Sequence, residues 1–256
     1  MTAAAESYDR HVGRYGRQLA AGLIEAAGIR PGQRALDVGC GPGPLTRALA
    51  DVLGPENVAA LDPSEPYVEA CRNRVPGADV RVGSGERLPF GDGEFDASAA
   101  QLVVQLMQDR TAGVREMTRV TRPGGVVAAC VWDSNAMPML SAFWDAALDV
   151  AQEQAGAVAE ASRVGYPDPH ELSDLWRACG LADVATGRLL VHADYESFDD
   201  LFQPFTLGTG HSGRCYAALD PAARERLRND AHERLGAPAG PFTLTAAAWW
   251  VRGVSG

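Results

Sequence analysis

Three glycines interleaved with two prolines form the stretch of this sequence with the clearest chemical meaning. Gly39, Gly41 and Gly43 lie in "LDVGCGPGP", between a short apolar run and a helical pattern. Glycine at such a turn lets the backbone approach a ligand without intervening side chains. Pro42 and Pro44 have no N–H group, so two potential phosphate donors are missing from the loop. The spacing therefore predicts a nucleoside ligand without phosphate groups rather than a dinucleotide.

A carboxylate lies where the sugar of such a nucleoside would bind. Asp62 ends a second apolar run, 21 residues after Gly41, near the offset of about 20 at which acidic residues reach ribose hydroxyls. The alternative to ribose binding is helix capping. In that case Asp62 is the N-cap, Pro63 is the first-turn proline and Glu65 is the capping-box acid. We expect ribose binding, since the glycine loop accompanies the acid. Asp37, inside the first apolar run, is a second carboxylate and needs a donor from the loop or from a ligand amine.

Strand and helix patterns alternate around these residues. A leading helix is predicted over residues 16–27. Apolar runs then alternate with helical segments; the runs are "RALDV", "NVAALD", "ADVRVG", "FDASAAQLVV" and "GGVVAACVW". This order predicts an α/β fold with a doubly wound, mostly parallel sheet. Any ligand site is then expected at the carboxyl ends of the strands.

The C-terminal half has a different pattern, in which helical segments outnumber strands from about residue 135. The chain ends on "PFTLTAAAWWVRG", an apolar strand that needs a sheet to bury it. We therefore expect a single domain over residues 1–256. Its predicted parts are an N-terminal helical cap (1–30), a cofactor-binding core (31–133), two helical insertions on the substrate side, over the carboxyl edge of the sheet (134–182 and 194–240), and a final strand (241–256).

The net charge and the cysteine content indicate which partners and which cellular compartment are expected. The formal net charge is -10, from 23 Lys plus Arg against 33 Asp plus Glu, so a nucleic-acid partner is not expected. The five cysteines are odd in number and never spaced C-x-x-C, which favours reduced thiols in the cytoplasm over disulfides or a zinc site. No apolar run approaches the length of a membrane span and no leader pattern precedes the first helix, so we expect neither a membrane anchor nor a targeting signal.

Four motifs, in order, resemble the class I S-adenosylmethionine-dependent methyltransferases, in particular their small-molecule, UbiE-like branch (methyltransferase type 11). They are "LDVGCGPG", "ALDPSEPYVEACR", "VGSGERLPFGDGEFDAS" and "EMTRVTRPGGVVAACVWD". The resemblance covers residues 8–133 well and the remainder only in outline. It implies a Rossmann-like seven-stranded sheet with helices on both faces, and S-adenosylmethionine as the cofactor.

The resemblance also implies roles for individual residues in the site. The three glycines would line the methionine and ribose portion, Asp62 the ribose hydroxyls, Ser84 with Gly85 the adenine, and Gln101 the region of the sulfonium. The full predicted cofactor-binding set is Arg14, Asp37, Gly39, Cys40, Gly41, Gly43, Asp62, Pro63, Ser84, Gly85 and Gln101. Relatives usually carry aspartate where this chain has Ser84, which leaves the adenine amino group one anionic acceptor short.

The implied reaction is an in-line displacement of a methyl group, which a protein accelerates chiefly by holding the two reactants in line and excluding water. Neither a covalent protein nucleophile nor a metal is predicted. A general base would help if the acceptor is a hydroxyl or an acidic carbon. The candidates are His211 and His11, with a solvated surface histidine as the alternative for each. Tyr8 and Arg14 are candidates for binding the methionine carboxylate.

Substrate selection is expected in the C-terminal half, where apolar side chains recur at helical spacings. They are Met139, Phe143, Trp144, Phe202 and Phe205. Such residues form either plain core or the lining of a pocket for a small, mostly apolar acceptor. Two other functions remain open: methylation of a protein or RNA, which the acidic charge and the absence of an Asn/Asp-Pro-Pro-aromatic segment disfavour, and cofactor binding without methyl transfer. The expected assembly is a monomer or a homodimer.

Overall fold

The computed structural model describes residues 8–10, 12–150, 168–208 and 210–256, without the side chains of residues 210 and 211. The chain divides into two compact units. The first comprises Met1–Asp133, Tyr166–Leu189 and Ala248–Gly256, and the second comprises Ser134–Gly165 and Leu190–Ala247. The predicted single domain and its internal ranges stay predictions.

Seven strands form one sheet in the order β3-β2-β1-β4-β5-β7-β6. The strands are β1 (Ala35–Val38), β2 (Val58–Asp62), β3 (Asp79–Val82), β4 (Phe95–Gln101), β5 (Thr121–Trp132), β6 (Ala182–Tyr195) and β7 (Phe242–Val254). Strands β1 to β5 pair in parallel, whereas β7 pairs antiparallel with β5. The predicted α/β fold with a mostly parallel, Rossmann-like seven-stranded sheet is therefore confirmed.

The longer helices connect and flank these strands. They are α1 (Gly16–Ala27), α2 (Pro44–Leu53), α3 (Glu65–Arg74), α4 (Arg110–Val120), α5 (Pro138–Val150), α6 (Pro169–Ala178), α7 (Phe198–Phe202), α8 (Gly210–Ala218) and α9 (Pro221–Arg234). Among the described residues, no helix is both long and apolar enough to cross a bilayer.

Local sequence explains where several helices begin and end. Helix α1 stops at Gly28, which adopts φ 67° and donates its N–H to the last turn, a conformation that glycine reaches without strain. Helix α4 has Asp109 as its N-cap, and the Asp109 carboxylate accepts the N–H of Ala112 at 2.9 Å. The predicted helix over residues 16–27 is confirmed at both of its ends.

Burial fixes the position of the strands in the first unit. All four residues of β1 are buried, as expected for a parallel strand covered on both faces. Helix α6 is joined to the sheet by Trp176, whose side chain is fully buried and donates its indole N–H to the carbonyl of Val127 at 3.0 Å. The first two residues of β6, Ala182 and Asp183, are exposed, whereas its last residues alternate between buried and exposed positions.

Aromatic side chains form the core of the second unit. The rings of Phe143 and Phe205 stack with centroids 4.4 Å apart, and Phe143 meets Trp144 edge to face at 5.1 Å. Met139 and Phe202 are also buried. Of the two interpretations of these five residues, the described contacts support plain core.

Candidate functional site

The predicted ligand residues meet at the carboxyl edge of the parallel strands. Strand β1 lies between β2 and β4, so the turns that follow Val38, Asp62 and Gln101 open on the same edge. The glycine loop connects β1 to α2 at this edge. The sheet therefore brings Val38 and Gln101, which are 63 positions apart in the chain, to the same edge.

The N–H groups of the glycine loop are all bonded within the protein. Gly39 and Cys40 both donate to the carbonyl of Leu61, at 2.8 and 2.9 Å. Gly43 donates to the carbonyl of Cys40 at 3.0 Å, and Gly41 donates to Asp62 Oδ2 at 2.9 Å. The remaining loop positions, 42 and 44, are prolines and have no N–H. Residues 39–44 consequently leave no N–H group for a phosphate.

The three glycines adopt positive φ values for different packing reasons. A Cβ on Gly39 would lie 2.4 Å from the side chain of Val103, and one on Gly43 would lie 2.9 Å from Cys71 Sγ. A Cβ on Gly41, at φ 52°, would meet no atom of the described structure within 4 Å. Gly39 and Gly43 thus allow close packing inside the protein, whereas Gly41 faces open space where a ligand can approach its backbone.

The Asp62 carboxylate connects the end of β2 to two backbone segments. Its Oδ2 accepts the N–H of Gly41 and its Oδ1 accepts that of Ser64, both at 2.9 Å. Helix α3 starts at Glu65 with Ser64 as its N-cap, so the alternative that made Asp62 the N-cap is wrong by two residues. Each carboxylate oxygen keeps a further acceptor site. Burial raises the pKa of Asp62, and the two N–H donors oppose that shift.

Asp37 is completely buried beneath the start of α2. Its Oδ2 accepts the hydroxyl of Thr46 at 2.6 Å, while its Oδ1 has no partner among the described residues. Burial raises the pKa of Asp37 to about 7, and the hydrogen bond from Thr46 opposes this shift. Among the described residues, a hydrogen-bond donor therefore reaches only one of the two carboxylate oxygens of Asp37.

Two glutamines, one at the end of β4 and one in the turn after it, present further buried acceptors. Gln101 donates from Nε2 to the carbonyl of Gly16 at 3.2 Å, but its Oε1 has no partner within the described chain, and neither has Oε1 of Gln105. A buried acceptor without a donor costs about 1–3 kcal/mol. With Asp37, these oxygens fit a ligand that carries N–H donors or positive charge. Sequence reasoning missed Gln105, because its position in a tight turn looks like loop.

The segment after β3 contains the two residues expected at the adenine. Ser84 and Gly85 are half-buried. Gly83 donates its N–H to the carbonyl of Asp62 at 3.1 Å, so the segment lies beside the end of β2. A Cβ on Gly85 would approach Val38 Cγ1 to 3.0 Å, which explains why glycine is needed there.

The other predicted residues are placed less directly at this edge. The Cys40 side chain packs in the core with Val68 and Cys71, so only its backbone faces the loop. Pro63 is exposed. Arg14 donates from Nε to the carbonyl of Arg10 at 2.9 Å.

The two histidines expected as general bases lie outside the described side chains. His11 lies outside the described residues, and His211 lies in α8 with its side chain outside them. Tyr8 packs edge to face on Tyr67 with ring centroids 6.0 Å apart. Burial raises the pKa of Tyr8, and the charges of Tyr67 and Asp37 add to that shift.

Two cavities lie elsewhere on the described surface. One, of about 910 Å³, is lined by helices α1 and α2 together with Arg74, and it reaches Gly43 but not Gly41, Asp62 or Ser84. The other, of about 540 Å³, lies in the second unit between α7, α8 and α9. It has a mixed lining in which Phe202 and Tyr216 accompany Asp199, Asp200 and Arg228. We place the candidate site at the carboxyl edge because the buried acceptors without donors lie there.

The fold defines a Rossmann-like α/β protein, and the carboxyl edge of its sheet holds buried acceptors without partners among the described residues. Within that class, residues 36–129 match the family described as "Methyltransferase domain", so this part of the chain is similar to that family. The match spans most of the four motifs and confirms their resemblance to the class I methyltransferases.

Curated relatives have names from the same class. The chain is 36% identical over 143 residues to a malonyl-[acyl-carrier protein] O-methyltransferase of Pseudescherichia vulneris, covering 56% of each chain. It is 39% identical over 102 residues to a demethylmenaquinone methyltransferase of Beutenbergia cavernae, covering 40% of this chain and 42% of the relative. The chain therefore spans about half the length of these relatives.

A solved structure supports the fold independently of sequence. A protein from Bacillus halodurans with a methyltransferase assignment superposes with a TM-score of 0.61 and 14% identity, covering 92% of this chain and 98% of the other. At this identity the likeness concerns the fold alone.

Proposed function

We propose that this protein transfers the methyl group of S-adenosylmethionine to a small organic molecule. The observation that carries the proposal is the glycine loop, whose N–H groups are all bonded within the protein while Asp62 keeps free acceptor sites beside it. A loop of this kind suits a nucleoside without phosphates. When bound, S-adenosylmethionine supplies a methyl group on a positively charged sulfur.

Residues of the carboxyl edge would hold this cofactor. Asp62 accepts the ribose hydroxyls, and the open backbone at Gly41 lets the nucleoside lie close to the loop. Asp37, Gln101 and Gln105 offer their unpartnered oxygens to the ammonium and sulfonium end of the molecule. The cationic charge is favourable there, since these acceptors are buried and lack other donors.

The remaining predicted contacts complete the proposal. Ser84 and Gly85 contact the adenine from the segment after β3, and the backbone of Cys40 with Pro63 borders the sugar. Arg14 and Tyr8, from the N-terminal segment, bind the methionine carboxylate.

The proposed acceptor is a small molecule with a mostly apolar body. Leu106, in the turn after β4 near the same edge, is 61% exposed. Its apolar side chain gives the acceptor an apolar surface to contact. The net charge of -10 argues against nucleic acid. One relative is named for a demethylated menaquinone, and such an acceptor fits this description. His211 or His11 would remove a proton if the accepting atom carries one.

A second candidate follows from the relative named for malonyl-[acyl-carrier protein]. In that case the acceptor is a small acyl group presented by a carrier protein, and the methyl group goes to an oxygen. We propose a cytoplasmic location, because all five cysteines are unpaired. The proposed assembly is a monomer or a homodimer.

A transfer assay with isotopically labelled S-adenosylmethionine and size-fractionated cell extract tests the proposal. We expect label in small molecules, whereas label in protein fractions favours the carrier-bound acceptor. Asp62→Asn should lose the label in parallel with its loss of binding to S-adenosylhomocysteine. Measurable binding without transfer to any fraction contradicts the transfer function and leaves a cofactor-binding protein.

A further inference from the structure

The loop after β3 holds a serine whose hydroxyl proton is directed at a neighbouring carboxylate. Ser84 Oγ donates to Glu86 Oε2, and the backbone N–H of Glu86 donates back to Ser84 Oγ at 3.2 Å. The other carboxylate oxygen, Oε1, accepts the backbone N–H of Gln108 at 2.9 Å. Glu86 is therefore held from both of its oxygens, and its orientation toward Ser84 is fixed.

This arrangement removes the donor capacity of the serine. A hydroxyl has one proton and two lone pairs, and the proton of Ser84 points at Glu86. The hydrogen bond from Ser84 lowers the pKa of Glu86, so the carboxylate stays ionised at neutral pH and keeps that proton oriented toward itself. One lone pair of Ser84 receives the Glu86 N–H, and the other can accept from a ligand but nothing on the oxygen can donate.

The position of this loop relative to Asp62 defines which part of a nucleoside would meet it. Val82, the last residue of β3, pairs with Asp62, and Gly83 donates its N–H to the Asp62 carbonyl. Ser84 thus lies on the same sheet edge, one strand outward from the carboxylate proposed for the ribose. A nucleoside with its sugar at Asp62 can extend its base toward Ser84.

We propose that Ser84, with its proton held by Glu86, is an acceptor-only contact that selects a 6-aminopurine over a 6-oxopurine. Ser84 touches the base, and Glu86 is a positioning residue that acts through it. The inference rests on the proposed cofactor function and deepens it. Together the two side chains supply the negatively polarised acceptor that Ser84 alone lacks.

The chemistry of the two bases explains the selectivity. The 6-amino group of adenine donates a hydrogen bond to the remaining lone pair of Ser84. The 6-oxo group of hypoxanthine presents lone pairs to the same oxygen, and two acceptors repel one another. Glutamine at position 86 could donate from its amide to Ser84 Oγ, which would free the hydroxyl to donate to an oxo group.

The experiment is a calorimetric titration of the full chain with S-adenosylhomocysteine and with S-inosylhomocysteine, in which a 6-oxo group replaces the 6-amino group and N1 carries a proton. We expect the wild type to prefer the adenine compound by about tenfold or more, the range for a hydrogen bond to an ionically polarised acceptor. Glu86→Gln should reduce this ratio to within about threefold. Glu69→Gln, which removes the same charge from an exposed position on α3, should leave the ratio unchanged.

A rescue variant separates positioning from general structural damage. Adding Ser84→Asp to Glu86→Gln places a carboxylate directly at position 84 and should restore the preference for the adenine compound. Equal binding of both compounds by the wild type overturns the inference, whatever the variants do. An unchanged ratio in folded Glu86→Gln also overturns it. Failure of the wild type to bind S-adenosylhomocysteine at all contradicts the proposed function itself.

Discussion

The carboxylate of Asp62 and the backbone N–H of Gly41 are joined by a hydrogen bond of 2.9 Å. The bond joins the end of β2 to the middle of the glycine loop. It makes the N–H of Gly41 unavailable to a phosphate, and it holds the carboxylate beside the open space at Gly41. This hydrogen bond therefore disfavours binding of a diphosphate and holds the Asp62 carboxylate where it can accept a ribose hydroxyl.

Asp62→Asn should lower the affinity for S-adenosylhomocysteine by about tenfold or more, because one acceptor for a ribose hydroxyl becomes a donor. Titration of wild type and variant with the normal compound and its 2′-deoxy analogue measures the coupling. The loss of affinity on removing the 2′-hydroxyl should be large in the wild type and small in the variant. Equal losses in both proteins would show that Asp62 does not contact the sugar.

Gly41→Ala should weaken cofactor binding in addition to its cost in folding stability. The new methyl group would point into open space at φ 52°, so the expected strain is about 1–2 kcal/mol. Gly28→Ala is a matched control, since Gly28 has φ 67° with nothing within 4 Å and lies at the end of α1. Both variants should lose similar stability in urea unfolding, and Gly41→Ala alone should raise the Kd for S-adenosylhomocysteine, by about tenfold or more. Similar Kd values for the two variants would place the ligand elsewhere.

Gly43→Ala should instead destabilise the folded protein through packing. Its Cβ would lie 2.9 Å from Cys71 Sγ at φ 100°, and overpacking typically costs about 1–3 kcal/mol beyond the backbone strain. Cys71→Ala removes the sulfur atom. The double variant should therefore lose less stability than the sum of the single variants, as measured by chemical denaturation. Strict additivity would mean that the sulfur is not the obstacle.

Asp37 should make stability fall as the pH rises. Its folded pKa is about 7, above the ordinary 3.8, so the folded state binds a proton that the unfolded state has released between these values. The free energy of unfolding then falls by about 1.4 kcal/mol per pH unit over that window and levels off above it. Asp37→Asn should remove this slope. Unfolding curves of the unliganded wild type and variant that stay parallel from pH 4 to 8 would contradict the buried, raised pKa.

Much of the fold and part of the candidate site could be predicted from the sequence, because local signals were strong there. The apolar runs at β1, β2 and β4, the stop of α1 at Gly28, and the spacing of Gly41 and Asp62 depend on residues close together in the chain or on a well-defined offset. The sheet then positions them without further information.

Other features depend on contacts between distant segments and could not be predicted. The missing partner of Gln105 Oε1 becomes visible only once the turn after β4 is folded. The role of Glu86 depends on the backbone N–H of Gln108, 22 residues away. The inward orientation of Cys40 follows from its packing against α3, which a loop pattern does not reveal.

The central claim is that the loop between β1 and α2 binds a nucleoside without phosphates. Parallel calorimetric titrations of the wild-type protein with S-adenosylhomocysteine and with NADH test it most directly. The account predicts saturable binding of S-adenosylhomocysteine, weakened in Asp62→Asn, and no measurable binding of NADH. Binding of NADH in preference to S-adenosylhomocysteine would contradict it.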